Sequence, residues 1–552
     1  MDFNVWLEAF FGAYYHRRPV NASFIGHHEY DNQLPDVSPL GRKAAVDEMH
    51  SLLASAKELD AAHLSPVQAL DLKVAKGVLE TQLWEYQSPH LFERNPSYYC
   101  GEAIFGVMVL FLTDYAPLAE RVRAAVERMR AIPVFLAQAQ QNLSNMPLAW
   151  IERALDECRG AEALFTDGMA ALAAEHQIQE SEFLGFAAGA RRAFAAFAEF
   201  LRREQAQASA LYACGPESFD LLLHQGHFLS QSADELLAYA EAEMEKAAAY
   251  LNQHAADFGA ATPEEALAGL AEIHPTAEDY VARHQQIWEA CRAAALEKDL
   301  VTWPDFPICY IPRPVWTRKA APHLYFLFYR APAAFNRPAV HEYLINPLPD
   351  ENRPAFLRAN NDSVIKLNHV VHHGSIGHHV QNWNAYHSQS RIGQVAACDT
   401  AARIAMLCGG TMAEGWACYV TDLMAEAGFL TPLEAYSEYQ GRRRMCARAI
   451  VDIRLHRGEI TFEEAAAYYQ NNAGMGAGSA RAEVTKNSMF PGGAVMYLFG
   501  RDAIYNLREE LKSSVGARFN LRDFHDEFLS YGALPVTLIC EDMKRKRQNA
   551  QR

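Results

Sequence analysis

Apolar residues in the stretch TMAEGWACYVTDLMAEAGF, Thr411 to Phe429, recur with the spacing of a buried helix. Polar residues elsewhere mark where helices begin. Ser232 with Glu235, Thr262 with Glu265, Thr276 with Asp279, Thr431 with Glu434 and Thr461 with Glu464 each put a hydroxyl three residues ahead of an acid, the pattern in which the two side chains cap a first turn. Proline follows Thr262 and Thr431 directly, and its fixed φ suits the first helical position. The alanine-rich stretches Glu235 to His254 and Gln285 to Lys298 agree, because alanine has the highest helix propensity. A mainly α protein is predicted.

The pattern changes between about Trp303 and Leu348, where prolines are frequent and short aromatic or β-branched runs occur, LYFLFYR (Leu324 to Arg330) and HEYLI (His341 to Ile345). These runs predict a small antiparallel sheet. The expected order is an N-terminal helical region over residues 1–300, the sheet region over 301–350 and a second helical region over 351–552, joined as one continuous body.

Composition narrows the function. The chain has 552 residues, half of them apolar, enough for a substantial core, and a formal charge of −17. The longest cationic run is KRKR at Lys544 to Arg547, no basic stripe follows a phosphate backbone, and nucleic acid is excluded as a partner. The ten cysteines are scattered without a C-x-x-C pair and read as core residues in a reducing compartment. No export signal is visible, and the longest uncharged apolar run, Ala103 to Leu112, falls short of the roughly 20 residues a spanning helix needs. The expectation is a cytoplasmic chain, without a membrane partner, acting on a small molecule or a peptide.

The chemistry concentrates in HVVHHGSIGHHVQ, residues 369–381, where five of thirteen residues are histidine. Imidazole ligates zinc and other transition metals, and histidines on one helix face can hold one ion. On an ideal helix of about 3.6 residues per turn, His369, His372, His373 and His379 share an arc, and His378 lies on the other side. Gly374 and Gly377 interrupt the segment, however, and a bulge or turn there would bring His372 and His378 together. The spacing is not H-E-x-x-H. A metal or proton-transfer site and a polar helix end bonded to backbone carbonyls both fit these residues. Glu414, a carboxylate inside a buried helix, needs a metal, another cation or a donor, and Arg391 and Arg403 are the alternative partners.

GHHVQ followed by AEGWACYVTDLMAEAGF resembles a mostly bacterial family, domain of unknown function eight-eighty-five, related to gluzincin-type zinc metallopeptidases. ASFIGHHEYDNQLPDVSP near the start and RAIVDIRLHRGEITFEEA, PGGAVMYLFG and DFHDEFLSYGALP near the end extend the likeness over nearly the whole chain. The family pattern is H-E-x-x-P-G-H-H-x-Q, then E-G-W-A. The resemblance implies a helical metallopeptidase-like body with metal ligands His372, His378 and Glu414, favouring His378 over His379. His373 stands where the family has its catalytic glutamate and Ile376 where it has proline; Lys486, Asn487 and Gly493 depart further. His373 is then either a base, with an ordinary pKa of about 6.5, or an additional ligand. Asp452, His456 and Tyr497 are retained. By analogy, His456 or Tyr497 donates to a developing oxyanion; a helix-end cap and a packed aromatic are the other readings.

GMGAGSAR, Gly474 to Arg481, lacks the preceding strand and the lysine of a phosphate loop and reads as a mobile loop near the site, with Arg481 as a substrate-carboxylate clamp or a surface ion pair. Three functions fit these residues. The first is a zinc-dependent hydrolase of a peptide, amide or ester with His373 as base. The second is a non-hydrolytic biosynthetic enzyme, a lyase, cyclase or oxygenase, using zinc, iron or manganese. The third is an inactive, metal-free binding protein. His369, His379 and His387 stay open as further site members.

Overall fold

The computed structural model describes residues 2–60, 63–324, 330–396, 398 and 407–550. Helices dominate it, and local sequence explains where they start. Ser232, Thr431 and Thr461 form full capping boxes with Glu235, Glu434 and Glu464, and Thr262 accepts from the Glu265 amide. Thr276 and Asp279 close the same reciprocal pair, but one turn ahead of the helix, which begins at Tyr280.

Three large apolar clusters, among the described residues, hold the body together. One joins the first helix, Phe3–Arg17, to the C-terminal half: Trp6 and Phe10 are buried in the same cluster as Val370, Trp416 and Phe528. A second lies among the helices Pro96–Met108, Leu118–Asn142 and Glu180–Glu204. Every residue of Pro96–Met108 is buried, which explains the apolar run from Ala103 as a helix enclosed by other helices. A third cluster lies under the helix Pro432–His456, which packs against Ala233–His254. No helix among the described residues is long and apolar enough to cross a membrane.

The sheet corrects one expectation. Strand Ile308–Pro312 pairs with His341–Ile345, in the register Ile308 to His341 through Pro312 to Ile345, and the pair is parallel, not antiparallel. Parallel strands need a long crossover, and the chain from Arg313 to Val340 provides one. The core of the other predicted run, residues 325–329, lies outside the described residues.

The sheet anchors the histidine segment. Tyr310 donates its hydroxyl to the His369 carbonyl at 3.1 Å, and the Tyr343 hydroxyl meets His369 Nδ1 at 2.8 Å. Both strands thus grip the segment Ile365–Gly374, which is a π-helix.

Candidate metal centre

A π-helix closes its hydrogen bonds one residue further along than an α-helix, so the ideal-helix arc does not apply to residues 365–374. The helix ends at Ser375, with φ −131° and ψ −116°, and the chain turns back on itself. Gly377 donates its amide to the Val371 carbonyl at 3.0 Å, and a Cβ at this position would stand 1.8 Å from the His372 carbonyl oxygen. Only glycine fits. The turn delivers His378, first residue of the helix His378–Tyr386, to the ring of His372 at a centroid distance of 4.9 Å and to that of His373 at 5.3 Å.

Glu414 comes from the helix Gly410–Glu426, packed closely on Met496–Val515. The two backbones nearly touch where Gly415 meets Gly500: a Cβ on Gly415 would lie 2.6 Å from the Gly500 carbonyl carbon. Trp416 then donates its indole N–H to the Ile376 carbonyl at 2.9 Å, fastening this helix to the histidine turn. Each residue of the Glu-Gly-Trp run therefore has a separate task. Glu414 Oε2 stands 3.4 Å from His372 Nε2 and 3.9 Å from His378 Nε2.

His372, His373 and His378 offer nitrogens that all lie within 4.8 Å of one another. Donors bound at about 2.0–2.2 Å around a tetrahedral ion stand roughly 3.3–3.6 Å apart, so the Glu414 contacts match such a shell to within a few tenths of an ångström. The ring orientations suit it too. His373 Nδ1 meets the Asn368 carbonyl at 2.6 Å, and His378 Nδ1 meets Gln381 Oε1 at 3.2 Å, which leaves each Nε2 as the lone-pair nitrogen. Burial, with His372 beside it, pushes His378 down to about 4 and His373 well below the usual imidazole range. Burial alone would raise Glu414, but the His372 hydrogen bond and the His378, His372 and Lys486 charges outweigh it and hold this carboxyl well below its ordinary value. Neutral imidazoles with an ionised carboxylate are the protonation states that ligate a metal. The residues fit a divalent ion.

The cluster opens on a cavity of about 440 Å³. One face of Gly410–Glu426 continues along it through Cys418 and Asp422, and the helix Pro432–His456 contributes Glu438, Arg444 and Arg448. Lys486 and Asn487 enter from the helix Ala477–Met489, Gly493 and Ala494 from the turn after it, and Tyr497 from the start of Met496–Val515. Asp452, fully buried behind that turn, shapes it by accepting the amides of Gly492, Ala494 and Val495 at 3.2, 2.9 and 3.3 Å.

Of the residues picked from the sequence, His372, His373, His378 and Glu414 come together, and Tyr497 lines the same cavity under the Arg448 guanidinium, 4.7 Å from its ring. His456 does not line it. It is buried behind the wall, and its Nε2 donates to the Asn487 carbonyl at 2.9 Å, so it braces the wall. Arg481 is also outside, held on the surface by Glu463 at 2.9 Å and Glu152 at 3.5 Å. GMGAGSAR is not a loop throughout: Gly476 is the N-cap of Ala477–Met489.

His369 is engaged by the two sheet tyrosines, His379 by the Phe306 carbonyl at 2.7 Å, and exposed His387 by the Trp383 carbonyl at 2.7 Å. Arg391 pairs with Glu8 at 2.6 Å, away from Glu414; Arg403 lies outside the described residues. Sequence pattern alone does not single out Glu438, Arg444 and Arg448. Their spacing along a single helix is the one signal it carries for them.

No curated protein matches the chain. Solved structures share its fold, two of them over nearly the whole chain. One, from Shewanella oneidensis and described as a candidate lipoprotein of unknown function, is 22% identical with a TM-score of 0.79, covering 98% of this chain and 100% of that one. The other, a candidate lipoprotein from Colwellia psychrerythraea, is 18% identical with a TM-score of 0.80, covering 99% of each chain. Both descriptions conflict with the cytoplasmic placement expected from the sequence, which is corrected accordingly. A model of the bacterial proteins of unknown function called DUF885 matches residues 19–543, nearly the whole length over which the described helices pack, and the chain belongs to that family.

Proposed function

We propose that the chain is a metal-dependent hydrolase of a peptide, amide or ester bond. The observation that carries this reading is the meeting of His372, His378 and Glu414 from three separate elements at the end of a cavity. The resemblance to gluzincin-type metallopeptidases supports it, with His373 at the position of the family's glutamate. A bound zinc ion would supply Lewis acidity, polarising a carbonyl and acidifying water. His372, His378 and Glu414 would hold it. His373, its Nδ1 tied to the Asn368 carbonyl, presents Nε2 as the proton acceptor and later returns that proton to the leaving group. Tyr497, kept protonated by burial and by the charge of Glu414, is the hydroxyl donor for a developing oxyanion.

One observation favours a second reading. The His373 nitrogen belongs to the same close set as those of His372 and His378, so it suits a third imidazole ligand as well as a base. With all three histidines and Glu414 committed to the ion, the scaffold would serve a non-hydrolytic lyase, cyclase or oxygenase using iron or manganese. The descriptions of the two structural neighbours support a place at the cell envelope.

Elemental analysis of purified protein tests both readings, with turnover measured across a peptide, amide and ester panel. Zinc near one per chain, with metal and turnover both lost in His372→Ala, is the expected result. Full zinc content without cleavage of any panel member rejects hydrolysis, and iron or manganese moves the assignment to the second reading. A chain that takes up no ion even after reconstitution removes both.

A further inference from the structure

Arg444 and Arg448 stand four residues apart on the helix Pro432–His456, so their side chains share one helix face, and both line the cavity. Lys486 joins them from Ala477–Met489. Like charges at this spacing oppose helix formation, and a pocket that gathers three cations needs a reason. One carboxylate, Glu483, feels all three. Its Oε1 accepts from Arg448 Nε at 2.7 Å, which uses one edge of that guanidinium. Among the described residues, neither Nη of Arg448 nor any nitrogen of Arg444 has a hydrogen bond or ion pair. The Tyr497 ring fixes the Arg448 fork from its face at 4.7 Å and leaves the Nη edge open.

The cavity's acids are engaged elsewhere. Glu414 meets the histidines, and Asp422 accepts from Arg501 at 2.7 Å. Glu438 stands beside Thr421 and Asp422, two helical turns along from Glu414, whereas Lys486 lies close enough to act on Glu414 itself. Lys486 therefore sits at the cluster end of the cavity, and Arg448 lies over the cavity-lining Tyr497 ring.

We propose that Arg444 and Arg448, with Lys486 beside them, form a carboxylate-binding subsite. Planar guanidinium forks match a carboxylate with two parallel N–H···O bonds. Resting on the hydrolase reading for where the reacting bond lies, the substrate class is an acylated amino acid or short peptide with a free carboxylate beside that bond. The cavity volume suits a ligand of that size.

The test is calorimetric titration of the full chain, chelator-treated and zinc-loaded, with N-acetyl dipeptides bearing small, aromatic or ionic side chains. Each is supplied as free acid and as C-terminal amide; acetylation removes the amine that Glu438 would attract. The acids should bind about tenfold tighter than the amides. Arg444→Gln, at an exposed position where the side chain makes no hydrogen bond or ion pair, should abolish most of that preference. Arg448→Lys keeps a charge for Glu483 but removes the fork, and should lower acid affinity several-fold. Equal binding of acids and amides, no binding of either at millimolar concentration, or an intact preference in both variants overturns the subsite. The chelator-treated arm separates the two ideas: a carboxylate preference without metal uptake leaves the subsite standing alone, and stoichiometric zinc without the preference leaves only the hydrolase reading.

Discussion

Trp416 donates its indole N–H to the carbonyl of Ile376, 2.9 Å away, and so ties the helix that carries Glu414 to the turn that separates His373 from His378. Both residues are fully buried. Trp416→Phe keeps most of the ring volume and leaves the Ile376 carbonyl without its partner. Stability should fall by about 1–3 kcal/mol, and zinc affinity, measured by competition with a chromophoric chelator, by about 10–100-fold. A variant that loses stability but binds zinc like the parent would show that this bond serves the core and not the cluster.

Gly377→Ala tests the turn itself. The added methyl would meet the His372 carbonyl at 1.8 Å, and backbone cannot yield as a long side chain does. The expected outcome is loss of stoichiometric zinc and a destabilisation above about 3 kcal/mol, with helical circular dichroism retained at low temperature. Gly441→Ala, on a cavity-lining helix with open space around the site, is the control and should change neither.

Metal removal should register in thermal stability. An ion that binds only the folded chain adds about 2.7 kcal/mol at a hundred times its dissociation constant. Chelation of the parent should therefore lower its melting temperature and restored zinc should raise it again, whereas His372→Ala should melt at one temperature in either condition. A chelator effect that persists in His372→Ala would place the ion elsewhere.

Glu102 gives a pH dependence far from the cluster. It sits in the enclosed helix Pro96–Met108, 2% exposed, and its Oε2 has no hydrogen-bond partner among the described residues. Burial pushes its carboxyl up to about 7, against the opposing pull of Arg18 and Arg128. A carboxyl whose folded value lies above its unfolded value of about 4.3 favours the folded state when protonated. Its contribution is greatest below pH 4.3 and is lost as pH rises towards 7, on the order of 3 kcal/mol in all. Denaturant titrations from pH 4 to 8 should show a shallower decline for Glu102→Gln than for the parent, with the variant the more stable at pH 8. Parallel curves would remove Glu102 as the cause.

Local chemistry was enough for much of this protein. The helix starts at Ser232, Thr262, Thr431 and Thr461 are legible because a cap and its partner lie within four residues, and the buried carboxylate at Glu414 stands out from the apolar spacing around it. The strand His341–Ile345 was equally plain, but its direction was not, since strand pairing depends on the path of the connection. Helical periodicity also set His378 on the wrong side, because period alone carries no information about a π-helix ended by a glycine turn.

Tertiary structure decided the rest. His456 shares a helix with Arg448, yet packing sends one behind the cavity wall and the other into it. Sequence spacing specifies an angle around a helix axis. Which angle faces the histidines depends on how Pro432–His456 sits against Ala233–His254 and on where Gly415 lets a second helix approach, and those contacts join residues far apart along the chain.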